Sequence, residues 1–298
     1  MSDGPSQVVS EAVTRAANRP PIGWERVTRG GYTPAERWIV TFDDDTRAFA
    51  KVGGVERVDA WLRTEHRAYR DIAGPFMPHL LGWSDNPVAA LLLEDLSDAF
   101  WPPPWSEDRV VRTRVMLDEV AAARCPRWAP AADEIDLFTG WSDISSDPAP
   151  FLSLGLSTRA WLDAALPALI RSERPAQLAG DRLLHFDVRS DNICFAADRT
   201  LLVDWNWIAR GNPLLDVAAW LPSLATEGGP QPEEVEPAAG VFAPALAGYF
   251  CSHAPLPHVP DAPHVRDVQL KQALTSLPWA ARSLGLPPPD GPRFVRTS

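Results

Sequence analysis

The chain has 298 residues, 45% of them hydrophobic and 22% charged, and a formal net charge of −11 at pH 7. That is enough length for two domains or one large one, and a composition able to bury a core. With no basic tract or aromatic-basic patch, the balance excludes a general nucleic-acid binder, and no apolar run approaches the ~20 residues of a membrane-spanning helix. The opening MSDGPSQVVSEAV lacks the basic and apolar sections of a secretory signal, so none is expected. Cys125, Cys194 and Cys251 lie far apart, with neither metal-type spacing nor a disulfide framework, which points to a reducing cytoplasm. Of 28 basic residues 26 are Arg; Lys51 and Lys271 are the exceptions, and a retained lysine raises the question of whether a compact ammonium is needed.

Val8 to Asn18 reads as a short amphipathic helix closed by Arg19-Pro20-Pro21. Strands follow at Trp24–Arg29, Arg37–Phe42 and Arg47–Val52, joined by Gly30-Gly31-Tyr32-Thr33 and by Asp43-Asp44-Asp45, which is the pattern of an antiparallel meander. Gly30-Gly31 has two readings: an ordinary hairpin turn, or a loop whose bare backbone donates N–H groups to phosphate. Val58–Ala73 has helical spacing, with Trp61, Leu62, Tyr69 and Ile72 on its apolar face. Glu65 falls on that same stripe, where a carboxylate is costly unless paired. It either sits at the stripe's edge against an Arg or meets Lys51 on the adjacent strand. Leu80–Ser84 and Val88–Glu94, around Asp85-Asn86-Pro87, complete a five-stranded sheet.

Glu94-Asp95-Leu96-Ser97 and Trp101-Pro-Pro-Pro-Trp105 break regular structure, so the boundary is placed between residues 95 and 96. Beyond it helices are expected at Glu107–Ala123, Arg159–Ile170, Pro213–Leu224, Gly240–Cys251 and Val265–Leu284. Ala129–Pro150 and Thr226–Pro237 read as polar, Pro-rich connections between helices, and Pro287–Ser298 as a mobile tail.

The most informative stretch is Leu183–Asp204, LLHFDVRSDNICFAADRTLLVD. His185, Asp187 and Asn192 stand as H-x-D-x-x-x-x-N. Two apolar runs around Ala197-Asp198-Arg199 form a hairpin that ends on Asp204, so a polar loop and a second carboxylate are expected to converge.

A β region with a glycine turn and a strand lysine, followed by a helical region with H-x-D-x-x-x-x-N, resembles the aminoglycoside phosphotransferase/choline kinase family. This is the small-molecule branch of the protein-kinase-like fold. The likeness runs from about Trp24 to Leu284. It rests on His185-Phe-Asp187-Val-Arg189-Ser-Asp191-Asn192, Val203-Asp204-Trp205 and Pro213-Leu-Leu-Asp216-Val-Ala. It implies an α+β, two-lobed fold: a small antiparallel β-sheet lobe at 1–95 for the nucleotide and a larger, mainly helical lobe at 96–298 for catalysis and the acceptor.

By resemblance, Asp187 is the catalytic aspartate that accepts the acceptor hydroxyl's proton, and Arg189 reaches the γ-phosphate. Asn192 and Asp204 supply oxygens to Mg²⁺. Lys51, held by Glu65, contacts the α- and β-phosphates, Gly30-Gly31 approach the nucleotide, and backbone groups around Glu94 and Leu96 meet the purine. ATP is the default nucleotide, with GTP the alternative.

His185 is read as shaping the loop rather than as a base, and Asp216 as a structural brace. The sequence departs from the family in carrying Phe186 where many members have Gly. Only eight residues separate Asp204 from Pro213 and there is no Ala-Pro-Glu closure, so the platform for a protein substrate is missing. The expectation is a cytoplasmic enzyme that phosphorylates a hydroxyl of a small molecule, aminoglycoside-like or another amino-alcohol or sugar. No nucleic-acid, membrane or protein substrate is expected. The acidic balance tilts slightly towards a polyamine acceptor, expected near Asp187 and walled by Trp205, Trp207 and the acidic connections; the two tryptophans read equally as core residues and are not assigned as contacts. The alternative is a non-catalytic nucleotide-binding scaffold.

Overall fold

The structure is a computed structural model that describes residues 4–28, 34–72, 74–125, 128–174, 177–259, 262 and 264–295. In chain order the elements are α1 (Gln7–Ala17), β1 (Gly23–Arg26), β2 (Glu36–Thr41), β3 (Arg47–Val52), α2 (Glu56–Asp71), β4 (Leu80–Ser84), β5 (Ala90–Glu94) and α3 (Glu107–Ala122). A 3-10 run, Ala131–Phe138, leads to α4 (Gly140–Ser146), α5 (Ala149–Ser153), α6 (Arg159–Arg171), β6 (Arg182–Leu184), β7 (Ile193–Ala196), β8 (Arg199–Leu202) and β9 (Ala209–Gly211). Then come α7 (Leu214–Thr226), α8 (Pro232–Val235), α9 (Ala243–His253), α10 (Val265–Ser283) and α11 (Pro292–Val295). The chain divides into two compact units: Met1–Pro102 with Asp191–Ile208, and Pro103–Ser190 with Ala209–Ser298. The β7–β8 hairpin, counted with residues 96–298 in the sequence reading, thus groups with the sheet.

In the first unit an antiparallel sheet runs in the order β1-β2-β3-β5-β4. Strand alternation sends Trp38, Val40, Ala48, Ala50, Val52, Ala90 and Leu92 to one face, where Val9, Ala12, Val13 and Ala16 of α1 cover them. Helix α1 starts at Ser6, whose side chain accepts the Val9 N–H, and stops at Asn18 in the left-handed region. Gly82 lets α1 sit this close: a Cβ there would lie 2.2 Å from the Ala16 carbonyl oxygen. The sheet's other face carries Arg37, Lys51 and Leu91 in one cross-strand row.

The second unit is mainly helical, with two-stranded pairing of β6 and β9. Two sequence expectations are corrected here. The stretch 129–150 is more than a connection. It forms the 3-10 run and α4, with Trp141 and Ile144 buried; helices of under two turns show too few repeats for the pattern to be read. Nor is the tail loose through residue 295. Asp290 accepts the Thr158 N–H and Oγ–H (2.7 and 2.8 Å). The Pro287 carbonyl accepts the Trp161 indole (2.9 Å), and Arg293 Nε donates to the Leu154 carbonyl (2.6 Å).

Candidate active site

The first unit holds a compact charge cluster. Lys51 Nζ donates to both Glu65 carboxylate oxygens (3.1 and 2.8 Å) and to Asp204 Oδ1 (2.7 Å). Of the two expected readings of Glu65, the structure takes the pairing with Lys51. Arg37 faces Lys51 directly across the β2–β3 register, and its guanidinium interacts electrostatically with Asp204 and Glu65. Two like charges side by side on a sheet repel; here two carboxylates neutralise them.

Burial opposes the Lys51 ammonium, but Asp204 and Glu65 outweigh it and hold its pKa above the ordinary lysine value. Burial pushes the Glu65 carboxyl up, against the pull of Lys51. The tight three-way geometry nevertheless favours the ionised pair, because the ammonium's two strongest bonds go to carboxylates. Lys271, the other lysine, lies exposed on α10.

The hairpin explains how Asp204 and Asn192 come together. Ile193 pairs with Leu202 at the open end of β7–β8, and the next N–H, Val203, bonds the Asn192 carbonyl at 2.9 Å. Asn192 and Asp204 therefore leave the same end of the hairpin. Asp204 adopts φ 70°, an uncommon conformation for a side-chain-bearing residue and one that functional sites collect. An amide oxygen and a carboxylate are the hard donors Mg²⁺ takes, and two protein ligands leave room for phosphate and water oxygens. Among the described residues no group of three His, Cys, Asp or Glu forms an all-protein metal cage.

Other expected positions fare differently. Gly30 and Gly31 lie outside the described residues. The Glu94 side chain is engaged by Arg199 and by the His79 N–H, and its own N–H bonds the His79 carbonyl. The Leu96 carbonyl accepts from Ala99 N and Trp101 Nε1. Of the two readings of Trp205 the structure takes the core one: it is fully buried, its indole bonded to the Leu202 carbonyl (2.7 Å) and its ring packed on Phe76. Trp207 is exposed.

The second unit carries the loop of Asp187. Asp216, buried at the first turn of α7, accepts the N–H groups of His185 (2.7 Å) and Phe186 (2.9 Å). Burial pushes its pKa up to about 7; the two backbone donors offset part of this and the charge of Asp187 adds to it. His185 is fully buried and its Nδ1 accepts the Asp187 N–H (3.3 Å), which fixes the loop. Ser190 is tied to Ser223 Oγ through N and Oγ (3.1 and 3.0 Å). Asp187 is partly exposed and paired with Arg189 Nη1 at 3.1 Å. Phe186 adopts φ 68°, a left-handed conformation costing a non-glycine residue roughly 1–2 kcal/mol. Its ring packs on Phe138, centroids 6.1 Å apart.

The sequence reading missed Arg37, one arginine among 26; its only signal was its place on the strand paired with that of Lys51. It also missed Ser223, a brace that no motif marks.

This arrangement sits on a known fold. The structure is similar to a candidate fructosamine-3-kinase from Thermobifida fusca, at 18% identity over 92% of this chain and 99% of that one, TM-score 0.54. It is similar to a choline/ethanolamine kinase family protein from Mesorhizobium loti, at 15% identity over 88% and 91%, TM-score 0.56. A third likeness is to the ADP-bound aminoglycoside phosphotransferase APH(2'')-Ib, at 11% identity over 86% and 93%, TM-score 0.51. No family model matches the sequence, and no curated protein matches it. At such identities the likeness establishes the fold, which is the kinase-like α+β fold of the aminoglycoside phosphotransferase and choline kinase proteins.

Proposed function

We propose that the protein is a cytoplasmic phosphotransferase that moves the γ-phosphate of ATP to a hydroxyl of a small molecule, an amino-alcohol or a sugar. GTP is the alternative donor. The observation that carries this reading is the Lys51–Glu65–Asp204 ion-paired group, with Lys51 Nζ within 3.1 Å of both carboxylates. A buried ammonium held by two acids is costly as mere scaffolding, and is what the α- and β-phosphates of a nucleotide need to meet.

In this reading Asp187 orients the acceptor hydroxyl and takes its proton. The hydroxyl oxygen bonds to the γ-phosphorus, the bond to the β–γ bridging oxygen breaks, and the nucleoside diphosphate leaves. Arg189 exchanges its bond to Asp187 for the γ-phosphate. Asn192 and Asp204 would hold Mg²⁺, which supplies charge neutralisation to the phosphates. Backbone groups of the Glu94–Leu96 segment that are not engaged internally, and the Gly30-Gly31 backbone, are assigned to the nucleotide. Phosphoryl transfer depends mainly on positioning and electrostatics, so these groups suffice in kind. The small-molecule kinase fold supports the acceptor class.

A single-turnover assay of γ-phosphate transfer from Mg·ATP, run across hydroxyl acceptors with the native chain and Asp187→Ala, tests the proposal. Transfer that is lost in the variant supports it. Nucleotide binding without transfer to any acceptor, unchanged by Asp187→Ala, replaces it with a non-catalytic scaffold.

A further inference from the structure

Helices α9 and α10 hold a polar group that the roles above leave unused. Arg266, near the start of α10, donates Nη1 to Gln269 Oε1 (2.8 Å) and Nε to the Pro257 carbonyl (3.1 Å). Both acceptors are neutral, and among the described residues no carboxylate forms an ion pair with this guanidinium. Gln269 is buried and turns its Nε2 towards Tyr249 Oη at 3.5 Å. The Tyr249 ring stacks against His253, centroids 4.3 Å apart. A guanidinium, an amide and a phenol thus form one chain, and the phenol's own O–H donates to no described residue.

Helix α9, which carries Tyr249, is linked by packing to the loop of Asp187. Gly140 meets Gly248 backbone to backbone: a Cβ on Gly140 would lie 2.2 Å from the Gly248 carbonyl oxygen. Gly140 follows closely on Phe138, which packs on Phe186, the residue before Asp187. Two contacts, Phe186 on Phe138 and Gly140 on Gly248, thus link the segment that carries Asp187 to the helix that carries Tyr249, and the charges of Asp187 and Arg189 act on the phenol.

Charges of both signs act there. Burial first, and then Asp187, raises the Tyr249 pKa, with Arg189 and Arg266 opposing, so the phenol stays a donor at neutral pH. Burial holds the His253 imidazole below its ordinary pKa, with the Tyr249 carbonyl and Asp143 opposing and Arg266 adding to the fall. Asp187 is already matched by Arg189. Arg266, by contrast, is bonded to neutral acceptors alone among the described residues.

Resting on the phosphotransferase reading above, we propose that Arg266, Gln269 and Tyr249 bind an oxyanion substituent of the acceptor. The substrate class is then a hydroxyl compound bearing a carboxylate or phosphate rather than a polyamine, against the tilt that the overall net charge suggests. A guanidinium already braced on one edge presents its remaining N–H groups to an oxyanion in fixed geometry, and a phenol O–H adds a third donor.

The test offers the full chain, with Mg and γ-labelled ATP, a metabolite extract fractionated by charge, and identifies the labelled product's parent by mass spectrometry. The expected parent is anionic, and its mass distinguishes carboxylate from phosphate. Arg266→Gln should raise the KM for it at least tenfold with kcat within about threefold, Tyr249→Phe should raise it less, and Arg266→Lys should recover part of the loss, which a folding defect would not. A neutral or cationic parent, or an anionic parent whose KM ignores Arg266→Gln, overturns the inference and leaves phosphotransfer standing. If no fraction takes label while nucleotide still binds, the phosphotransferase reading fails, and this inference with it.

Discussion

The two units hold their polar groups by opposite means. In the first, Lys51, Arg37, Glu65 and Asp204 fix one another through charge. In the second, Asp187 is positioned by its backbone: Asp216 grips the N–H groups of His185 and Phe186, His185 grips that of Asp187, and Ser223 grips Ser190. The difference follows from the tasks proposed for each. Groups that neutralise phosphate can be held by counter-charges that a ligand later replaces. A proton acceptor is better held through its main chain, with Arg189 as an exchangeable partner of its carboxylate.

The comparison breaks most sharply at Asp187. Asp187→Asn should lower single-turnover transfer by about 10³-fold, within the range for a lost general base, while nucleotide affinity in equilibrium binding stays within a few-fold. A loss of binding of similar size would show that the two groups of residues do not divide the work as argued.

Lys51→Met comes next, because it strands two carboxylates, one of them buried. A loss of about 3 kcal/mol in urea unfolding is expected, together with loss of transfer. Adding Glu65→Gln should restore much of the stability and none of the activity. If the single variant is as stable as the native chain, the charge cluster is not holding itself together.

Asp216 gives a pH-dependent counterpart. Its folded pKa is raised from 3.8 to about 7, so the folded state binds the proton more tightly than the unfolded state. The associated stability is fully present below the unfolded value and is lost as pH rises through about 7. Relative to Asp216→Asn, the native chain should therefore lose on the order of 4 kcal/mol between pH 4 and pH 8 in denaturant titrations. A flat difference would mean that the two backbone donors keep Asp216 ionised throughout.

The smallest effect is the most diagnostic. Replacing Phe186 by Gly relieves the left-handed strain but loses the ring contact with Phe138 and loosens the unfolded chain, so a net change under about 1 kcal/mol is expected. Phe186→Ala loses the ring and keeps the strain. The Gly variant should be at least as stable as the Ala variant, the reverse of the usual order, as thermal unfolding would reveal.

These contrasts also explain what could be read in advance. Strand alternation and glycine- or aspartate-bearing turns are local signals, so the five-stranded sheet was legible, including β3 and β4 to the residue. The Lys51–Glu65 pair was legible because lysine is rare here and a carboxylate on an apolar stripe demands a partner. Arg37 was not, since its role exists only once β2 and β3 are in register. Trp205 could be read as a wall or as core, and the left-handed turn at Asp204 precedes an indole sunk in the core. Phe186 was legible as a departure from glycine; its φ was not.

The strap formed by residues 287–295 bears on how the protein should be handled. It seals the ends of helices already built: Asp290 closes the start of α6, the Gly291 N–H bonds the Leu156 carbonyl, and Arg293 closes the Leu154 carbonyl. Leu156, fully buried, lies under it. A shortened expression clone ending at Leu286 would therefore strip donors and acceptors from three backbone segments and open an apolar floor.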